Sequence, residues 1–194
     1  MNYCILGFDI ENYSGTNSSE DMFSYRSIMR NIITQSFYSS EIRKTHVTDI
    51  DTGDGTFIFF DTNNIIEILK LLDSIRIISN NKKSIKFRSV LHYGDCEKDT
   101  DLFTKDIFNK EGKINIIGNG INSCARYLNS QDLKENLLKS DEYFCYGLSC
   151  EVYDMIKHNQ SFDKNSFLNF DFSIKNFKSK IYIKKKIITK KINQ

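Results

Sequence analysis

Residues 51–60 read DTGDGTFIFF and give the clearest indication of the fold. The glycines on either side of Asp54 let the backbone turn tightly, and they leave room for a ligand to approach. The run Thr56–Phe60 is typical of a buried strand, and the strand-like run Thr45–Ile50 precedes the turn. These residues therefore predict a β-hairpin with Asp54 at its tip.

The hairpin lies in the middle of a regular order of predicted elements. A strand and a helix precede it, and a helix and a strand follow it, over Tyr3–Asp9, Ser19–Ser39, Asn63–Ser79 and Ile85–Leu91. The order β-α-β-β-α-β predicts an α+β fold with a ferredoxin-like or palm core, an antiparallel sheet with its helices on one face. In such a sheet we expect the first and third strands to lie side by side.

The residues after this core predict an α/β extension at the C-terminus. They contain a loop over 94–113, a helix near 119–129, a helix capped by Ser149 that runs to about Lys157, and final strands near 167–174 and 180–188. No internal repeat or linker divides the sequence, and 194 residues suffice for one core. We therefore expect a single domain over residues 1–194.

The composition is that of a soluble globular protein, with 40% hydrophobic and 27% charged residues. The N-terminus lacks the basic region of a signal peptide, and no apolar stretch approaches the roughly 18 residues that a membrane helix needs. We therefore expect a cytoplasmic protein without membrane contact. Five cysteines without C-x-x-C spacing and only three histidines argue against a zinc site and predict free thiols.

The net charge of +2 conceals an uneven distribution. Residues 174–194 carry eight lysines and no acid, so the remainder has 19 basic and 25 acidic residues and a net charge of −6. Such a basic segment can bind nucleic acid or an anionic membrane. We interpret it instead as a strand with a solvated outer face and one lysine available for phosphate, and we expect no nucleic-acid partner.

Two aspartates from distant parts of the sequence are expected to meet. Asp9 ends the first predicted strand, and the end of that strand should lie beside the hairpin tip that carries Asp54. Two carboxylates at one place repel each other unless a divalent cation lies between them, and oxygen ligands suit Mg²⁺ or Mn²⁺. Asp51, three residues before Asp54, is a competing ligand.

A third segment contributes a polar pair. Glycines at 118 and 120 precede a predicted helix on which Asn122 and Arg126 are four residues apart and share one face. Arg126 could stabilise charge on a phosphoryl group. The glycine spacing does not match a dinucleotide-binding fingerprint.

The sequence thus contains four notable segments in a fixed order: Phe8–Ser14, Thr52–Phe60, Phe87–Gly94 and Gly118–Arg126. Together they resemble the catalytic domain of the class III nucleotidyl cyclases, and the resemblance spans nearly the whole chain. It implies an enzyme that converts a nucleoside triphosphate into a 3′,5′-cyclic nucleotide and pyrophosphate. The element order derived above agrees with the fold of that family.

The resemblance also implies roles for single residues. Asp9, Asp54 and the carbonyl of Ile10 would bind two Mn²⁺ or Mg²⁺ ions in each active site. Asn122 would orient the ribose, and Arg126 would neutralise charge in the transition state. Further candidate substrate-binding residues are Phe8, Asn12, Tyr13 and Lys175, with Lys178 as the alternative phosphate ligand. In the family the metal pair and the Asn/Arg pair come from different subunits, which implies a homodimer with composite active sites.

The positions that read the base depart from the adenylate and guanylate cyclases. Ile50 and Asn115 stand where an adenylate cyclase places Lys and Asp, and Ile50 is not the acid of a guanylate reader. This departure resembles the pyrimidine cyclases of bacterial anti-phage signalling (Pycsar-type), which make cyclic UMP or cyclic CMP to activate a separate effector. The amide of Asn115 both donates and accepts hydrogen bonds, so UTP and CTP both remain open.

Other functions compete with this interpretation. The alternatives are an adenylate or guanylate cyclase, a catalytically inactive nucleotide-binding regulator, and an RNA-binding domain that uses the basic segment. The presence of Asp9, Asp54, Asn122 and Arg126 together argues against the inactive regulator. A diguanylate cyclase would require a different hairpin sequence from that of residues 52–56.

Overall fold

The structure is a computed structural model, and it describes residues 1–15, 18–38, 40–42, 46–61, 64–100, 114–174 and 177–185. The strands are β1 (Asn2–Ile10), β2 (His46–Asp51), β3 (Gly55–Phe60), β4 (Phe87–Asp95), β5 (Glu97–Thr100), β6 (Ile114–Ile117), β7 (Phe144–Ser149), β8 (Phe167–Ile174) and β9 (Phe177–Lys184). The helices are α1 (Ser19–Tyr38), α2 (Ile65–Lys82), α3 (Asn119–Leu128), α4 (Gln131–Leu138) and α5 (Cys150–Ile156).

Seven of the strands in these segments form one sheet in the order β2-β3-β1-β4-β7-β9-β8, and β5 pairs separately with β6. β1 lies between β3 and β4 and is antiparallel to both. β4 and β7 run parallel, whereas the other neighbouring strands of the large sheet are antiparallel. The expected contact between the first and third strands is confirmed.

The two helices of the β-α-β-β-α-β core, α1 and α2, share one face of this sheet as expected, and helices of the C-terminal extension cover the other face. Leu6 and Phe8 of β1 are buried in an apolar cluster with residues of α1 and α2. Tyr3 and Ile5, which alternate with them, belong to a second cluster with residues of α3 and α4. β1 is therefore buried on both sides, which explains why its sequence is a continuous apolar run.

The C-terminal half differs most from the sequence-based expectation. The predicted loop over 94–113 contains β5, while its residues 101–113 lie outside the described segments. Strands β6 and β7 and helix α4 had not been predicted, and β9 begins at Phe177 rather than at 180. Every residue of β7 is buried, so the strand lacks the polar alternation that would have revealed it. The predicted cap of α5 is confirmed, because the Ser149 hydroxyl accepts the N–H of Val152 at 3.4 Å.

A buried ion pair fixes α2 against the turn that precedes β7. The Arg76 side chain is 2% exposed, and its Nη2 lies 2.6 Å from Oε1 and 2.8 Å from Oε2 of Glu142. The same nitrogen donates to the carbonyl of Lys185 at 2.7 Å. This network joins three separate parts of the chain through one guanidinium group.

The cysteines agree with the sequence-based expectation. All five are free thiols, and Cys4, Cys96, Cys124 and Cys145 are buried. Within the described segments, none of the helices combines the length and apolar character needed to span a bilayer.

Candidate active site

The register of the sheet brings Asp9 and Asp54 together. Asp9 lies opposite Gly55, and the N–H of Ile10 donates to the carbonyl of Asp54 at 3.0 Å. A Cβ atom at Gly55 would lie 2.0 Å from the carbonyl oxygen of Phe8, so only glycine permits this approach. Gly53 has a φ of +91°, which suits the hairpin turn. The exposed side chain of Asp54 is thus held beside the end of β1.

Arg88 is a residue of this site that the sequence-based interpretation did not select. It lies opposite Asp9 on β4 and is 4% exposed. Its guanidinium group pairs with Asp9 and Glu11, and its Nε donates to the carbonyl of Leu128 at 3.1 Å. The sequence does contain a signal for this residue, because Arg88 is a charged residue within a largely apolar strand. A buried cation requires carboxylate partners, so an arginine at such a position indicates acidic residues nearby.

Negative charge exceeds positive charge at this end of β1. Burial is the main reason why the pKa of Asp9 is raised to about 6, and the neighbouring carboxylates of Asp54 and Glu11 raise it further. Arg88 is the stronger of the two cations that oppose this rise in pKa, and Lys134 is the other. A site with this balance gains free energy when a further cation enters it.

The donor atoms at this place suit a divalent cation that takes only some of its ligands from the protein. Arg88 contacts Oδ2 of Asp9, and Oδ1 has no hydrogen-bond partner among the described residues. Among the described residues, the carboxylate of Asp54 accepts only a long hydrogen bond, 3.4 Å, from the Thr52 hydroxyl. No group of three His, Cys, Asp or Glu side chains in the described segments forms a complete metal site. Two carboxylates and the carbonyl of the adjacent Ile10 are nevertheless oxygen donors of the kind that Mg²⁺ and Mn²⁺ prefer, and such ions commonly take their other ligands from water or from the phosphates of a bound substrate.

Asp51, the competing ligand, is engaged elsewhere. Its carboxylate pairs with Arg26 and Arg30 of α1 and accepts the N–H of Gly53 at 3.0 Å. Although partial burial works in the opposite direction, these partners lower the pKa of Asp51 below its usual value. Asp51 therefore anchors the hairpin to α1, and Asp54 is the carboxylate of the hairpin that remains available.

Asn122 and Arg126 lie on the exposed side of α3, while Cys124 and Tyr127 between and beside them are buried. The guanidinium carbon of Arg126 lies 5.2 Å from the ring centroid of Phe177 on β9. Among the described residues, neither Asn122 nor Arg126 forms a hydrogen bond or an ion pair with Asp9 or Asp54. The two pairs are therefore not joined within one chain.

The candidate substrate-binding residues occupy different environments. Phe8 is 1% exposed and packs against Phe87 and Phe144, so only its backbone could reach a ligand. Asn12 is exposed, has a φ of +58°, and its carbonyl accepts the N–H of Gly15 at 3.1 Å. Tyr13 is partly buried against the core. Asn12 and Gly15 also line a cleft of about 470 Å³ next to the end of β1.

The residues proposed to read the base and to bind phosphate are less completely described. Ile50 is partly buried against the second apolar cluster, which includes residues of α3 and α4. Asn115 lies in β6 opposite Asp99, and its side chain lies outside the described part of the structure, as does all of Lys175. Lys178, the alternative to Lys175, is exposed on β9.

No protein-family model matches this chain, and no curated protein matches its sequence. Solved structures match its fold instead. The guanylate cyclase domain of RhGC from Catenaria anguillulae in complex with GTP has a TM-score of 0.60 and 14% identity, covering 95% of this chain and 96% of that chain. The adenylate/guanylate cyclase/hydrolase from Silicibacter pomeroyi has a TM-score of 0.59 and 18% identity, covering 94% of each chain.

The adenylyl cyclase CyaB from P. aeruginosa is also similar, with a TM-score of 0.55 and 15% identity over 95% of this chain and 94% of that chain. Each similarity extends over nearly the full length of both chains, so it concerns the complete arrangement of strands and helices. At such identities the comparison establishes the fold. The chain therefore has the class III nucleotidyl cyclase fold.

Proposed function

We propose that this protein is a nucleotidyl cyclase that converts a nucleoside triphosphate into the 3′,5′-cyclic nucleotide and pyrophosphate. The observation that carries the proposal is the meeting of Asp9 and Asp54 at the end of β1, where negative charge is in excess. The fold supports it, because the similar solved structures are described as guanylate and adenylate cyclases.

In the proposed reaction the ribose 3′-hydroxyl loses its proton to solvent, its oxygen forms a bond to the α-phosphorus, and the bond from the α-phosphorus to pyrophosphate breaks. Divalent cations bound between Asp9, Asp54 and the Ile10 carbonyl would supply Lewis acidity and neutralise phosphate charge. Arg88 holds Asp9 through one carboxylate oxygen and leaves the other for binding. Arg126 offers a planar cation with several donors, which suits the charge that develops on the transferring phosphoryl group.

We further propose a homodimer with composite sites, which the positions of the two pairs support. Asn122 and Arg126 are exposed on α3, and among the described residues they form no hydrogen bond or ion pair with Asp9 or Asp54 of their own chain. The proposed reaction requires all four side chains at one nucleotide. A second subunit, which presents its α3 to the metal pair of the first, would supply the missing half.

For the base, we propose a pyrimidine, UTP or CTP. The support is that Ile50 offers neither a cation nor an acid at a base-reading position, and that it is partly buried in an apolar cluster. Asn115 can satisfy either pyrimidine. In this proposal the cyclic product is a second messenger that activates a separate effector in anti-phage defence. The alternative is a purine substrate, since the similar structures are described as guanylate and adenylate cyclases.

The test is product identification. The purified protein is incubated with Mn²⁺ and each of the four nucleoside triphosphates separately, and products are identified by mass spectrometry. Cyclic UMP or cyclic CMP is the expected product, and Asp54→Ala should abolish its formation. Absence of any cyclic nucleotide would refute cyclase activity, and cyclic AMP or cyclic GMP as the sole product would refute the pyrimidine assignment.

A further inference from the structure

Helix α4, which the sequence pattern did not reveal, lies on the same side of the sheet as α3. Leu133 and Leu137 are one helical turn apart, are fully buried, and join the apolar cluster that contains Phe57 and Val90. Burial of this stripe fixes the rotation of α4 about its axis. Its two remaining flanks consequently face different neighbours.

One flank faces β8. Asp132, Asn136 and Lys139 line a shallow groove on this side, together with Leu168 and Phe170 of β8. The ammonium group of Lys139 pairs with Glu135, also on this side. The two acids of this flank, Asp132 and Glu135, therefore lie on the side of α4 that faces β8.

The other flank carries Lys134 and Leu138, which are one turn apart and therefore on the same side of the helix. Leu138 lines the cleft of about 470 Å³ together with Ile10, Glu11 and Asn12. Because Leu138 reaches the residues that directly follow Asp9, the flank of Lys134 faces the candidate active site. In agreement with this placement, Lys134 is one of the cations whose charge acts on Asp9.

Lys134 is a cation for which the described residues provide no polar partner. It is half-buried, and within the described segments its ammonium group has no hydrogen-bond or ion-pair partner. The neighbouring cations are engaged: Lys86 donates to the carbonyl of Ser140 at 3.0 Å, and Arg88 is held by Asp9, Glu11 and the Leu128 carbonyl. A half-buried lysine without a polar partner, close enough for its charge to act on Asp9, is suited to an anionic ligand.

We infer that Lys134 binds the β- or γ-phosphate of the nucleoside triphosphate whose metal ions are held by Asp9 and Asp54. This inference rests on the proposed function. It assigns part of the phosphate binding to the subunit that supplies the carboxylates, through a helix that packs directly on the sheet. The flexible stem and compact charge of a lysine suit contact with phosphate oxygens over a range of positions.

The experiment compares Lys134→Gln and Lys134→Arg with Lys139→Gln, a matched control at the residue that directly follows α4 and pairs with Glu135. Two quantities are measured on the full chain: KM for the triphosphate that the wild type converts fastest, and Kd for inorganic tripolyphosphate with Mn²⁺ by calorimetry. We expect Lys134→Gln to raise both by about 10-fold, the value of one charge-assisted contact, with a smaller change in kcat. Lys134→Arg should recover most of the loss, and Lys139→Gln should match the wild type.

The outcomes separate this inference from the proposed function. Unchanged KM and Kd in Lys134→Gln would overturn the role of Lys134, even if cyclic nucleotide is formed. A wild type that forms no cyclic nucleotide but binds tripolyphosphate in a manner that depends on Lys134 would reject the cyclase and retain the phosphate site. If the wild type forms no product and binds no tripolyphosphate, both are rejected. Equal thermal unfolding of the variants, with recovery by arginine, excludes a loss of folding as the cause.

Discussion

Complementation between two inactive variants tests the composite site most directly. Asp54→Ala removes a proposed metal ligand, and Arg126→Ala removes the cation that the same site would receive from the other subunit. In a heterodimer of these variants, one site combines both defects, while the other combines the intact Asp54 of one chain with the intact Arg126 of its partner. Because a two-fold dimer contains two equivalent sites, the purified heterodimer should regain about half of the wild-type activity.

The assay uses co-expression of the two variants with different affinity tags, purification of the heterodimer by both tags in succession, and measurement of cyclic nucleotide per dimer. The control heterodimer joins Asp54→Ala with Asp9→Ala, which damages the metal pair in both sites and should regain nothing. No recovery in the first heterodimer, or equal recovery in both, would refute the reasoning that α3 acts across the dimer. Each variant alone should stay near background.

Three further predictions concern the stability of the fold. Glu142→Ala leaves the buried guanidinium of Arg76 unpaired and should lower the free energy of unfolding by about 3–5 kcal/mol, while replacing both partners with apolar residues should cost much less, as chemical denaturation can show. Gly55→Ala places a Cβ atom 2.0 Å from a backbone carbonyl and should lower Tm by several degrees, whereas Gly15→Ala, which meets no atom within 4 Å, should not. Burial alone would raise the pKa of Glu151, but His92 and Ser149 lower it to about 2. Ionised Glu151 therefore stabilises the fold above its ordinary pKa of 4.5, and this contribution is lost as the pH falls toward about 2. Glu151→Gln should make the unfolding free energy less dependent on pH over that interval.

The central part of the fold could be predicted because both its local sequence and the order of its elements point to the same structure. Residues 51–60 combine turn-forming glycines with an apolar strand, and the order of strands and helices around them permits few topologies. That order was sufficient to bring Asp9 beside Asp54, although they are 45 positions apart in the sequence. Antiparallel pairing allows residues that are distant in the sequence to be placed side by side, because the register of one pair fixes every other pair along the strand.

The C-terminal half could not be predicted as well, because its signals depend on tertiary contacts. β7 is buried on both faces and pairs in parallel with β4, so it lacks both alternation and an adjacent hairpin partner. Helix α4 has only Leu133 and Leu137 as buried residues, too few for a clear helical period. The role of Arg88 depends on its position opposite Asp9, which only the register between β1 and β4 defines.

The arrangement of charges explains why one site would need so many ionic side chains. Asp9, Glu11 and Asp54 provide three carboxylates at the end of β1, and among the described residues Arg88 is the cation that pairs with Asp9 and Glu11. A nucleoside triphosphate brings further negative charge to this place, so carboxylates without additional cations would repel it. In the proposed enzyme metal ions would offset the carboxylates, while Lys134 from the same chain and Arg126 from the partner would meet the phosphates. Lys134→Gln and Arg126→Ala should therefore weaken binding of the triphosphate. Both variants should bind Mn²⁺ in the absence of nucleotide almost as the wild type does, which a metal titration can measure. Loss of Mn²⁺ binding in these variants would contradict this division of roles.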